Sequence, residues 1–286
     1  MRWIGAWMLV ATLGCRTRSP VASEQAEAKM TRPDAVRCEF RIDAAGLPGR
    51  SPAILKREQN SLAGMIGSLS AGATKGEEQA GDVTVDALLE SLATVDTVRV
   101  FAAAFLAGRC KASTAATDQQ LTRRLADHIA RPVAADTRIE AAFSLVLRGA
   151  VNQGRDALRD ALTSSEPLGD QYKAAFFLAQ LGDPSGYAAL IRTAGGDIAH
   201  YRLMALRHAI AFSPWNGKQI GELTIDVASL LSHALSDPDP LVRQEMPFYL
   251  AELGVANLRQ LLEPVARGDD SEPVRTAARI VLDRMH

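Results

Sequence analysis

Five histidines (His128, His200, His208, His233 and His286) and three cysteines (Cys15, Cys38 and Cys110) are the side chains of this 286-residue chain best suited to metal or nucleophilic chemistry. Their spacing does not favour it. A zinc site wants ligands a helical turn or a tight loop apart, such as two histidines four residues apart, and no two histidines here stand so. There is no Gly-x-Ser-x-Gly nucleophile elbow, no Gly-x-Gly-x-x-Gly and no phosphate loop. The Asp-Glu scatter has the distribution of a solvated helix face. No catalytic residue, no metal and no cofactor is therefore expected. What remains is binding, and the aromatics Phe176, Phe248 and Tyr249 are the candidates for touching a partner, because aromatics contribute disproportionately at interfaces. Packing between neighbouring elements is the competing role for each.

The elements that position these residues follow from composition. The chain is 47% hydrophobic and 23% charged, with a formal net charge of −1 and 5% aromatics. Interspersed charge of both signs argues against nucleic acid, which needs a basic face. Ala, Leu and Arg outweigh Ile, Thr and Tyr, so helix propensity outweighs strand propensity.

The first fifteen residues, MRWIGAWMLVATLGC, place Arg2 before an apolar run from Trp3 to Leu13, then Gly14 and Cys15. That run is too short to span a bilayer but suits a signal-peptide core. Its Gly-Cys ending resembles the lipobox of bacterial lipoproteins, although Thr12 and Leu13 depart from the usual Leu followed by a small residue. The resemblance implies a diacylglycerol on the Cys15 thiol, cleavage before it, and acylation of the new amine, as by palmitate. Residues 16–37 then read as a polar tether, and Arg16 after the cysteine leans toward the outer membrane. With Cys15 lipidated, Cys38 and Cys110 remain as a disulfide pair in an oxidising compartment. Two buried free thiols are the alternative.

A repeat organises the rest. Arg99, Arg138, Gln171, Arg202, Arg243 and Arg275 lie 39, 33, 31, 41 and 32 residues apart. Five are followed three residues on by Ala (Ala102, Ala141, Ala174, Ala205 and Ala278) and the other by Met246, and most by Leu one turn later. Between anchors, Leu121/Leu125/Ile129, Leu158/Leu162, Tyr187/Leu190/Ile191, Val227/Leu230/Leu231 and Leu258/Leu261/Leu262 mark a second helix, and Val85/Leu88/Leu92 mark one before Arg99. The unit is a helical hairpin, which must share its core with its neighbours. The small residue three beyond five of the anchors is expected to let the paired helices approach closely. The stretches DPDPLVRQEMPFYLAELG and DDSEPVRTAARIVL resemble HEAT-like repeats of the armadillo-type class, related to phycobilin lyases. That resemblance implies a ladder of turn aspartates and helix arginines, making Asp237 with Arg243 and Asp269 with Arg275 scaffold residues. SPWNGKQIGE reads as an insertion.

Residues 35–43 alternate Val36, Cys38, Phe40 and Ile42 as a short strand would, and Leu55, Leu62, Met65, Ile66 and Leu69 suit a helix. A solenoid needs its open end covered, so residues 35–80 are expected to cap the first repeat. The expected organisation is a signal peptide (1–14), a tether (15–34), a cap (35–80) and a solenoid (81–286). The expected fold is all-α, a right-handed α-α superhelix of about six hairpins. The expected function is a lipid-anchored, non-catalytic envelope scaffold binding a protein or peptide partner. The alternative, prompted by the resemblance, is a lyase-like or other enzyme handling a small ligand.

Overall fold

A computed structural model of the chain describes residues 38–40, 52–70 and 83–285, except 113, 132, 166, 212–216, 218, 221 and 222. The stretches expected to be a signal peptide (1–14) and a tether (15–34), Cys15 among them, lie outside the described residues.

Thirteen helices dominate the described residues: α1 (Pro52–Ser70), α2 (Val85–Ala93), α3 (Thr97–Arg109), α4 (Ala115–Ala130), α5 (Ala135–Leu147), α6 (Val151–Thr163), α7 (Leu168–Gln180), α8 (Pro184–Ala194), α9 (Ala199–Ala211), α10 (Val227–His233), α11 (Pro240–Leu253), α12 (Leu258–Gly268) and α13 (Glu272–Asp283). Helices α2 to α13 pack as six successive hairpins, α2/α3 through α12/α13, each anchor falling on the second helix of its pair. Second helices also pack on second helices, α3 on α5 and α11 on α13, so the pairs stack into one HEAT-like, all-α superhelical array.

Local chemistry sets the ends. Thr84, Asp96, Thr114, Asp183, Asp226 and Asp239 each cap a helix by accepting a backbone N–H. Pro184 and Pro240 open α8 and α11, where a missing N–H costs nothing. The anchor-plus-three residues Ala102, Ala141, Ala174, Met246 and Ala278 are fully buried. The closest approaches, however, come from glycines the repeat pattern does not mark. A Cβ on Gly154 of α6 would lie 2.3 Å from the Ala142 carbonyl oxygen of α5, and one on Gly186 of α8 2.6 Å from that of Ala175 in α7. The interval between α9 and α10 holds a two-stranded ribbon, β3 (Gln219–Ile220) against β4 (Leu223–Thr224).

The C-terminal hairpins share one electrostatic device. Arg202 of α9 donates to both carboxylate oxygens of Asp237, at 2.8 and 2.7 Å. Arg243 of α11 donates in the same two-pronged way to Asp269, at 2.9 and 3.0 Å, and to the Asp237 carbonyl at 2.8 Å. The aspartates are scaffold residues, but each carboxylate serves the arginine of the preceding repeat, while its own repeat's arginine takes its carbonyl. Burial alone would raise the Asp237 and Asp269 pKa values; donation from Arg202, Arg243 and backbone N–H groups outweighs it and holds both carboxyls below the ordinary range.

The N-terminal end is tied differently. Cys38 and Cys110 form a disulfide with Cα atoms 5.1 Å apart, and β1 (Glu39–Phe40) runs antiparallel to β2 (Cys110–Lys111) beside it. Arg148, just past α5, donates to the carbonyls of Ala107 and Cys110 at 2.7 and 2.8 Å and to that of Asp118 at 2.8 Å.

Candidate functional site

The site is the face built by the second helices α3, α5, α7 and α9, with α1 lying across it. At one end Ile54 of α1 is 5% exposed and belongs to the core cluster of α7 to α13, which also holds Tyr172 and Leu206. At the other, Leu62, Met65, Ile66 and Leu69 pack on the core of α2 to α5. Two polar seats lie between these apolar ends.

The first seat holds Glu58. Arg109 of α3 donates to Glu58 Oε1 at 2.7 Å and to Glu140 Oε1 of α5 at 3.3 Å. Lys173 of α7 meets the other oxygen of Glu140 at 3.2 Å, so one chain of alternating charges crosses three second helices beneath α1. Arg109 and Glu140 are only 3% and 2% exposed, a depth tolerated only for paired charges. The Phe105 ring lies 3.6 Å from the Arg109 guanidinium and adds a cation–π contact.

The second seat holds Arg57. Its Nη1 donates to His208 Nε2 of α9 at 2.5 Å. An arginine has only donors, so Nε2 accepts, and the proton of the neutral ring falls on Nδ1, which meets the Tyr172 hydroxyl of α7. Phe176 stacks on the same imidazole at 4.3 Å. Burial, then the charges of Arg57 and Arg207, push the His208 pKa down to about 3. Burial raises that of Tyr172 against the pull of Arg57, and burial, aided by Glu245, raises that of Tyr249.

Of the aromatics proposed to meet a partner, Phe176 lies in the second seat, and Tyr249 is close enough for its pKa to feel Arg57. Phe248 and Tyr249 are half-buried against the same C-terminal core. Phe143 and Phe177 stack 4.1 Å apart between α5 and α7, Phe143 being fully buried, as core residues do. Sequence reasoning missed His208, Arg109 and Glu140. A signal existed for His208: it stands six residues after Arg202, as Phe105 follows Arg99, Phe177 follows Gln171 and Tyr249 follows Arg243. Arg109 and Glu140 had none, since a charge on a helix reads as solvated until a partner is seen.

Among the described residues, no group of three or more His, Cys, Asp or Glu side chains could hold a metal ion. A cavity of about 330 Å³ lies between α7, α8 and α9, lined in part by Tyr172, Arg192, Asp197 and Tyr201.

No protein-family model matches the chain, and no curated protein matches it. Among the solved structures that resemble it are three at 16% identity each. Human deoxyhypusine hydroxylase in complex with glycerol matches over 82% of this chain and 91% of its own, with a TM-score of 0.34. An engineered protein matches over 70% and 96%, with a TM-score of 0.39. Escherichia coli YibA matches over 82% and 98%, with a TM-score of 0.41. The fold assignment rests on the helix pairing of this chain itself.

Proposed function

We propose that this protein is a non-catalytic scaffold of the bacterial cell envelope. On this reading it is held at a membrane, the outer one, by lipid on Cys15, and it binds a protein or peptide partner through its stacked helices. The observation that carries the binding half is the seating of α1: the second helices accept a helix laid across them, through apolar contacts at both ends and two polar seats between. The Gly14-Cys15 ending of the apolar leader carries the anchoring half, and the Cys38–Cys110 bridge suits an oxidising compartment. Among the described residues no helix is long and apolar enough to cross a membrane. Each buried CH₂ of an acyl chain contributes about 0.8 kcal/mol, so two or more chains would hold the domain stably.

Two measurements test the two halves. Labelled palmitate should enter the wild type and not Cys15→Ser; equal labelling removes the anchor. A photocrosslinker replacing Tyr249, in cells, should trap one defined envelope protein that a crosslinker replacing exposed Arg279 does not. Identical adducts from both positions would defeat the scaffold reading. A second reading, an enzyme or carrier acting on a small ligand, is favoured by the cavity between α7 and α9 and predicts a small molecule released on denaturing the purified protein.

A further inference from the structure

The face proposed to bind a partner is covered by a segment of the chain itself. α1 has 19 residues, about 28 Å of helix at roughly 1.5 Å per residue. Four helices side by side at about 8–10 Å span ~24–30 Å between the outer axes. α1 is thus long enough to reach from α9 to α3, and it contacts both. It is less deeply buried than the helix it lies on, with Leu62, Met65 and Ile66 only partly covered. Of its described side chains only Ile54 and Leu69 are buried, against nine residues of α3.

The two polar seats say what could replace it. When α1 leaves, Arg109 loses a carboxylate and His208 Nε2 loses its donor, and both belong to buried side chains. Buried polar groups stripped of partners are costly, so a helix lacking them is rejected as strongly as a matching one is accepted. A matching helix needs an aliphatic residue at the Ile54 position, a cation three residues on for His208 and a carboxylate four residues on for Arg109. These stand on one face of a helix, and a helix laid in a groove is a common mode of peptide recognition.

We infer that this face reads helices, that α1 is its resident and displaceable occupant, and that the incoming partner is an amphipathic helix carrying an aliphatic residue followed three and four positions later by a basic and an acidic one. The inference rests on the partner-binding reading above and adds the chemistry of the partner.

Hydrogen exchange on the unaltered chain is the first test. The amides of α1 should exchange at least tenfold faster than those of α3 and α5, in a separate opening; exchange of α1 as slow as that of α3 makes it core and overturns the inference. The second test uses a fluorescent peptide of residues 52–70 added to the full chain carrying Ile54→Asp and Arg57→Glu. Saturable binding at least tenfold tighter than to the wild type is expected, and a Glu58→Lys peptide should bind at least tenfold more weakly. No binding, or equal binding to both chains, overturns it. If the altered chain does not fold, hydrogen exchange decides alone. Should the peptide fail while Tyr249 still crosslinks one envelope protein, the inference falls and the scaffold reading stands. Should the peptide bind while crosslinking finds nothing specific, the helix-reading face stands and the envelope partner falls.

Discussion

The two ends of the stack are held by different physics. From α9 to α13 one motif repeats: a helix arginine grips the turn aspartate of the next hairpin with two hydrogen bonds. Around α2 to α5 the ties that stand out among the described residues are each made once. A disulfide, a two-residue strand pair, the guanidinium of Arg148 and the buried Arg109–Glu140 pair share the joining. A hairpin inside a regular stack meets the same neighbour each time, so one periodic contact suffices. The first hairpins must also receive β1 and one end of α1, which break the translational symmetry, and they need one-off ties.

The largest effect expected on this contrast is at Arg243. It is central to the ladder, and removing one partner of a buried ion pair strands the other. Arg243→Met should lower stability by about 3–5 kcal/mol and split the urea transition, because coupling between neighbouring repeats is what makes a stack unfold as one. A single sharp transition with little loss would mean that apolar packing alone couples these hairpins.

Next in size is the one-off tie. Replacing both Cys38 and Cys110 with Ser should lower stability by ~2–4 kcal/mol, since the bridge closes a long loop. The loss should appear in the hydrogen exchange of α2 and α3 while α11 to α13 keep their protection. Thiol titration of the denatured, unreduced wild type should find neither cysteine free. Uniform loss of protection along the chain would erase the distinction between the ends.

Acid separates the regions by pH window. The folded His208 titrates near 3 against 6.5 when unfolded, so between those values the unfolded chain binds the extra proton. Stability is full above the unfolded pKa and falls as pH drops toward the folded one, by about 2 kcal/mol at pH 5. The titratable and charged groups around the ring are Arg57 of α1, Tyr172 of α7 and Arg207 of its own helix, and Tyr249 of α11 feels Arg57 and Arg207 in turn. A cationic imidazole beside Arg57 should therefore release α1 first. The ladder carboxyls are depressed from 3.8, so their contribution is present above that value and lost only below it. His208→Gln should flatten melting temperature against pH between 7 and 5, leaving the shallower slope of His128, whose pKa burial also lowers. An unchanged slope would show that the second seat does not sense protons.

Much of this architecture was legible in the residues, and the exceptions share a cause. Asp-Pro openings, Gly254 and the Arg–Ala–Leu columns report local geometry, which a linear sequence encodes directly; six hairpins follow from them. What α1 touches depends on bringing residues 54–58 against residues 109 and 208, and no periodicity encodes an encounter across 51 or 151 positions. Helical spacing identified α1 as a helix without saying that it crosses the second helices. The glycines failed to announce themselves for the opposite reason. Gly154 and Gly186 stand inside helices, where a glycine reads as a weakness, and only the carbonyls of Ala142 and Ala175 reveal that nothing larger fits.

The smallest effect expected is the most discriminating for the ladder. Arg275 occupies in α13 the place Arg243 has in α11, and both donate to the backbone carbonyl of their own turn aspartate, Arg243 to Asp237 and Arg275 to Asp269. They differ in the carboxylate they grip. Arg243 holds buried Asp269 from the next hairpin, whereas Arg275 turns to Glu272 on its own helix, exposed to water. Solvent and salt screen an exposed pair of this kind. Arg275→Met should therefore cost well under half of what Arg243→Met costs in urea denaturation, and the small cost should shrink further in 0.5 M salt on the order of magnitude expected for screened pairs. Equal costs would move the strength of the ladder from the carboxylate between hairpins to the carbonyl contact that both arginines share. The stack would then be held by helix-to-turn ties within each hairpin, and the contrast between its two ends would lose its physical basis.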